Sequence, residues 1–319
     1  MTLPDESRLA ASGRPPLCSV AARERADPLT ATAVNARRWL LIEHPGPWAF
    51  DAFAGSGIDA EVRRRLTAGV RASGTRLLLI RRPGRIHRTW PRSWAVVSAA
   101  AGVAARWGHW HRDADLTDVV EHLSDAPAEL ATGESAASSG ARQADPLILV
   151  CTHGRHDTCC AVRGRPVAAA LAEAWPAQTW ECSHVGGDRF AANLVVLPDG
   201  AYYGDVEPAE AVDVVAGHLD GAMSARHLRG LSTQPPVVQA AFGEALARFG
   251  PAGPRNATCT GLTRLADDKW RVDLTCSPPL PSTISATVSR SRRTPALLTC
   301  RAQSPAFAWE WSVTDMSTA

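Results

Sequence analysis

The chain offers no apolar leader: its first ten residues, "MTLPDESRLA", carry early acids, so no secretory signal is expected. It has no uninterrupted apolar run near the ~20 residues of a membrane span, and no membrane partner is expected. Charge of one sign is missing too. The formal net charge is +2, from 34 Lys and Arg against 32 Asp and Glu. A nucleic-acid footprint would be a clustered basic excess, so none is expected. Short basic runs such as Arg63-Arg64-Arg65 read as solvated helix faces. No solenoid-range repeat and no C-x-x-C motif occurs. A cytoplasmic globular protein fits these absences.

What is present is core material and thiols. The 319 residues are 45% hydrophobic, enough for two domains. Eight cysteines in a reducing compartment argue for metal binding, redox chemistry or buried thiols over a disulfide framework. Cys151, Cys159, Cys160 and Cys182 crowd together, whereas Cys18, Cys259, Cys276 and Cys300 are scattered and read as small buried hydrophobes.

Residues 1–17 are polar and proline-containing, a loose amino terminus. An α/β region over 18–123 follows. In it "RRWLLIEH" and "TRLLLIRR" are strands flanking a helix, "DAEVRRRLTAGVRASG", that stops at Gly74. "SWAVVSAAAGVAARWGHWH" reads as one or two strands and "DADLTDVVEHL" as a helix. Residues 124–146 are rich in Ala, Ser and Gly without an apolar period, a linker or exposed loop. Over 147–253 strands and helices alternate. "LILV" delivers Cys151 and "QTWECS" delivers His184. "NLVVLPDGAYYGDV" is a hairpin around Pro-Asp-Gly, and "EPAEAVDVVAGHL" and "PPVVQAAFGEALARFG" are helices. Within the hairpin, alternation predicts one of Tyr202 and Tyr203 inside and the other outside. The alternating, β-branched runs of 254–319 predict a small antiparallel β unit. The fold class is therefore α/β with a mixed sheet.

Cys151 and Cys160 in "CTHGRHDTCC", with His184 and Asp188 in "SHVGGD", are the candidate ligands. Both loops follow strands, where functional groups of α/β layers gather. Soft thiolates and an imidazole suit an iron–sulfur cluster or zinc. A [2Fe–2S] cluster takes two ligands per iron, and imidazoles can replace thiolates on one. The plain alternative is buried thiols beside a hydrogen-bonded histidine. Gly186-Gly187 is either a donor-presenting turn or an ordinary one, Arg189 a neutraliser of cluster charge or a member of a surface ion pair, and "RRPGR" at 81–85 a solvated turn or a contact for a partner or a phosphate.

"CTHGRHDTCCAVRGRPV", "WECSHVGGDRFAANLVVLPDGAYYGDV", "RWLLIEHPGPW" and "LLLIRRPGR" together resemble the sucrase/ferredoxin-like family, closely over 147–219 and more loosely before. The second half of that family is similar to thioredoxin-like [2Fe–2S] ferredoxins. The resemblance implies that Cys151 and Cys160 are the first ligand pair and His184 and Asp188 the second. Bis-histidine relatives carry His-x3-His, so Asp188 is a departure: it either ligates or orients His184. Cys159, Cys182, His153 and His156 are the substitutes, with Cys159 expected to point away from its neighbour Cys160.

The expected function is one-electron transfer through one [2Fe–2S] cluster, with a flavin- or NAD(P)H-dependent reductase as the natural donor. The N-terminal half is expected to be a partner layer without ligands. A structural zinc module and a thiol oxidoreductase are the alternatives. No carboxylate pair is legible across a glycosidic bond, so glycoside hydrolase activity is not expected.

Overall fold

The computed structural model describes residues 16–84, 90–99, 105–124 and 145–319. Most of the expected amino-terminal segment and linker, together with Arg85 and residues 100–104, lie outside the described residues.

The first half begins with helix α1 (Cys18–Glu24) and strand β1 (Arg38–Glu43). Helix α2 (Ala60–Ala72) starts where the Asp59 carboxylate accepts the amides of Glu61 and Val62, the N-cap arrangement. Its exposed Arg64 and Arg65 pair with Glu61, so the basic run is a solvated face. Strands β2 (Arg76–Arg81), β3 (Arg92–Ser98) and β4 (Arg106–Trp110) follow. "DADLTDVVEHL" divides into a 3-10 turn, Asp113–Thr117, and helix α3 (Val119–Ser124).

The second half repeats the plan: β5 (Leu147–Cys151), α4 (Thr158–Ala174), β6 (Thr179–Cys182), β7 (Leu194–Leu197), β8 (Ala201–Tyr203) and α5 (Ala211–Leu219). In each half the first two strands are parallel around a helix, and the next two add antiparallel on the outside. These are two thioredoxin-like sheets. They are joined edge to edge by β2 and β6, which run antiparallel with Ile80 opposite Cys182. With β9 (Leu228–Leu231) the result is one nine-stranded sheet, ordered β4-β3-β1-β2-β6-β5-β7-β8-β9. The N-terminal layer thus lies in the plane of the second.

One face of this sheet carries two separate cores. Leu40, Ile42, Leu79 and Val96 lie with Val62 and Leu66 of α2 and Val119 and Leu123 of α3. Ile148, Val150, Leu194 and Val196 lie with Val167 and Leu171 of α4 and Val215 of α5. The other face is one core running across the join, from Trp39 and Leu78 to Leu149 and Tyr202. Burial on both faces explains the unbroken apolar strand "LILV". It also corrects the alternation expected of the hairpin: Tyr202 and Tyr203 are both buried, since neither face meets water.

Helix α5 begins at Ala211, later than its sequence suggests, because Glu207–Glu210 forms a turn. Helix α6 (Pro236–Phe249) carries the last unit on Val237, Val238, Ala241 and Ala245, which pack against Val272, Ile284, Ala286 and Val288. That unit is an antiparallel sheet of β10 (Ala257–Ala266), β11 (Lys269–Cys276), β12 (Thr283–Arg292) and β13 (Trp309–Thr318). Strands β9 and β10 were not legible as strands. "LRGL" is four residues long with Arg and Gly inside, and β10 is exposed along most of its length.

Candidate metal centre

Strands β5 and β6 are parallel neighbours, with Cys151 opposite Cys182. Parallel strands send their following loops out at the same sheet end, which is why two loops some 30 residues apart meet. Cys151 ends β5. The chain then turns through 152–157, and Asp157 caps α4 by accepting the Cys159 amide, placing Cys160 in the first turn. On the other side the chain leaves β6 at Cys182, passes His184, turns through Gly186 and Gly187 at φ +91° and +79°, and reaches Asp188. A side chain at Gly187 would be strained and would meet the Arg229 guanidinium at 2.4 Å.

Helix α4 comes unusually close to β5. A Cβ on Gly164 would lie 2.1 Å from the Cys151 carbonyl oxygen, so only glycine permits this approach. Cys151 and Cys160 are each 1% exposed, whereas the side chains of His184 and His156 are about a quarter exposed. The thiols form the deep end of the site and the imidazoles its outer end.

The potential ligand atoms of Cys151, Cys160 and His184 all lie within 4.8 Å of one another, as do those of His156, His184 and Asp188. Asp188 bridges the two groups: Cys160 Sγ is 3.3 Å from its Oδ1, and His184 Nδ1 is 2.9 Å from the same oxygen. His184 Nδ1 is buried, with the Asp188 carboxylate as its ion-pair partner. Two thiols, an imidazole and a buried carboxylate are a donor set that fits a metal ion or a small iron–sulfur group.

The site is electrostatically coupled. The Cys160 thiol hydrogen-bonds Cys151 and holds it well below the ordinary thiol range against burial; Cys160 is correspondingly raised. Burial alone would lower His184, yet Asp188 and Cys151 outweigh it and raise it to about 9. Asp188 is lowered by His184 although burial opposes this.

The four substitutes separate clearly. His153 accepts the His184 amide on Nδ1 and donates from Nε2 to the Ala49 carbonyl, so both ring nitrogens are occupied. Cys182 is fully buried in β6 and joins no potential metal group among the described residues. Cys159 points away from Cys160, towards Cys18 and Cys300. His156 alone stays beside the site, stacked on His184 with ring centroids 3.7 Å apart and 4.0 Å from Asp188.

Sequence reasoning missed the residues that fix the second loop. Arg229, fully buried on β9, donates to Gly186 O and Asn193 Oδ1 at 2.8 Å, and also to Thr32. Asn193 in turn donates to Gly187 O. Burial lowers Arg229 to about 10. The first half also contributes: Ala49 anchors His153, and the Phe50 ring stacks on His156 at 4.8 Å. Arg81 pairs with Glu181 at 2.6 Å across the join and Arg82 lies over Trp180, so the start of "RRPGR" is an interface within the chain.

A thioredoxin-like domain with two buried cysteines, a half-buried histidine and a buried aspartate at one sheet end defines a class of α/β protein with a potential metal centre. Residues 29–230 match the sucrase/ferredoxin-like family, and the chain belongs to it. No curated protein and no solved structure shows a significant match. Among the described residues no helix is long and apolar enough to cross a membrane.

Proposed function

We propose that the protein is a one-electron carrier, with Cys151 and Cys160 on one iron of a [2Fe–2S] cluster and His184 and Asp188 on the other. The observation that carries this reading is the convergence of the buried Cys151 and Cys160 thiols with His184, their potential ligand atoms all within 4.8 Å of one another. When bound, such a cluster supplies a one-electron couple whose potential rises as neutral imidazole replaces thiolate.

Each residue has its own part. Cys151 and Cys160 exclude water from the deep end, and Gly164 lets α4 bring Cys160 against β5. His184 and His156, at the solvent-facing end, give electrons their shortest way out to a partner. Arg229 holds the Gly186-Gly187 turn and sets a buried positive charge beside ligands that are negative once deprotonated. Asp188 takes the place of the second histidine; His156 is the group beside it that can replace it. The electron donor is a reductase using flavin or NAD(P)H, in the cytoplasm.

The test is an anaerobic visible spectrum of fresh full-length protein, with iron and acid-labile sulfide assayed on the same sample. Broad visible absorption with two irons and two sulfides per chain is expected. Neither iron nor sulfide in an iron-replete anaerobic preparation overturns the reading. Zinc at Cys151 and Cys160 in their place assigns the site to a structural zinc module.

A further inference from the structure

The chain brings together a second set of thiols. Cys18 opens α1, Cys159 sits in the first turn of α4 and Cys300 lies in the loop between β12 and β13. Their sulfurs form a triangle: Cys18 to Cys159 is 3.5 Å, Cys159 to Cys300 is 3.2 Å, and Cys300 to Cys18 is 3.5 Å. These separations are far longer than the roughly 2.04 Å of a disulfide. The Asp157 carboxylate completes the group, both of its oxygens 3.7 Å from Cys18 Sγ. The scattered cysteines were expected to be buried hydrophobes; Cys18 is buried and Cys300 is half-buried against it, and the fold brings these distant segments together beside Cys159.

Asp157 adds a carboxylate to the thiols. It is 1% exposed and accepts the amides of Cys159 at 2.9 Å and Cys300 at 2.7 Å, besides the Cys18 thiol. Among the described residues no cationic side chain forms an ion pair with it. A buried carboxylate without a cation is costly, and a metal ion would neutralise it. The surroundings also donate to sulfur: Ser19 Oγ to Cys159 Sγ at 3.2 Å and the Cys18 amide to Cys300 Sγ at 3.5 Å. Arg163 Nε donates to Ser19 Oγ, bringing positive charge behind the thiols. Such outer donors orient ligating groups.

We infer that Cys18, Cys159, Cys300 and Asp157 form a structural zinc site, separate from the Cys151 centre. Zinc–sulfur bonds of about 2.3 Å in a tetrahedron give sulfur–sulfur edges of about 3.8 Å, so the triangle needs to open only by a few tenths of an ångström. Three thiolates exclude hard cations such as magnesium and calcium, and a closed set of four protein ligands leaves no open position for catalysis. The ion would tie together α1, α4 and the β12–β13 loop. Cys18 and Cys300 both lie outside the family-matched residues 29–230. The site thus clamps the two flanking segments onto the helix whose next residue is Cys160.

The experiment is elemental analysis of the full-length protein, purified without chelator from zinc-supplemented cells, alongside Cys151→Ser, Cys18→Ser, Cys159→Ser and Cys300→Ser variants. One zinc per chain is expected in the parent and in Cys151→Ser, with at least a tenfold loss in the other three. Cobalt(II) added to metal-depleted parent and Cys151→Ser protein should give thiolate-to-metal charge transfer and the visible bands of tetrahedral cobalt. That readout needs no variant at the second site to fold. A parent without zinc and without these cobalt bands overturns the inference. So does a disulfide between any two of the three cysteines, or zinc lost from Cys151→Ser and kept by the other variants. Iron and sulfide, read on the same samples, report separately on the Cys151 centre.

Discussion

The two halves of the large sheet share a plan and differ in chemistry. Counting its own strands, each half has the order 4-3-1-2, with a helix between the parallel pair and another after the fourth strand. Yet the first half, from β1 to α3, contains no cysteine, and all the candidate ligands of the Cys151 centre lie at the end of β5 or after β5 and β6. The loop after β1 instead reaches across, giving the Ala49 carbonyl to His153 and the Phe50 ring to His156. On a shared scaffold, the loops of the second half bring potential ligands together, and the loop after β1 forms a wall beside them.

The most severe way to break the comparison is at adjacent cysteines. Cys160→Ser should abolish iron and visible absorption, because one of only two thiols at the centre is lost. Cys159→Ser should keep iron near the parent level, since that thiol faces Cys18 and Cys300. Equal iron loss in both would show that the neighbours serve a single site. The assay is iron and sulfide per chain.

Matching helix glycines give the next effect. A methyl on Gly164 overlaps the Cys151 carbonyl, which is backbone and cannot step aside. Gly164→Ala should cost about 2–3 kcal/mol by overpacking and lower cluster occupancy. Gly69→Ala, in the corresponding helix of the first half, meets only Val120 and Leu123 side chains, the nearest atom at 3.0 Å. With the gain in helix propensity it should fall within about 1 kcal/mol of the parent. Thermal unfolding of the two variants measures the difference.

Why the second half was more legible follows from how its ligands are distributed. Cys151, Cys160, His184 and Asp188 lie on two loops linked by one β–α–β unit, so sequence order already implies their meeting. Gly187 needs a positive φ and sits where the sequence doubles glycine, a signal that could be read. Arg229 could not be: one arginine in a four-residue strand says nothing of the loop 43 residues upstream that it holds. Cys18 and Cys300 meet across 282 residues, a contact that only the fold creates. The sequence also suggested two layers, and only the pairing of β2 with β6 puts them in one plane.

Protonation gives a third, graded contrast within the second half. His184 is raised from its ordinary 6.5 to about 9: burial opposes the shift, and Asp188 and Cys151 overcome it. In the metal-free chain this stabilisation is fully present below about pH 6.5 and is lost as pH rises through about 9. A metal needs the neutral imidazole, so its apparent affinity should rise about tenfold per pH unit up to about 9, more steeply if the raised Cys160 proton is also released. Stability of metal-free protein and cobalt affinity at the Cys151 centre should therefore run in opposite directions between pH 7 and 9. Parallel trends would remove His184 as a ligand; the measurements are thermal melts and cobalt titrations of Cys300→Ser protein, which leaves only this centre to fill.

The smallest effect tests the wall itself. Phe50 is 55% exposed and stacks on His156 with rings 12° from parallel, and His156 stacks in turn on His184. Removing the ring should cost about 0.5–1.5 kcal/mol of stacking and leave every candidate ligand in place. Phe50→Ala should accordingly keep full iron but lose it to a chelator severalfold faster, because the outer histidines are less restrained and water reaches them more readily. Ala52→Ser, on the same loop but without a ring contact to either histidine, should release iron at the parent rate. Unchanged release in Phe50→Ala would mean that the first half guards the centre through contacts the substitution leaves in place, among them the Ala49 carbonyl at His153, the Phe50 carbonyl at His156 and Arg76 at the His184 carbonyl, with the stacked rings contributing nothing to retention.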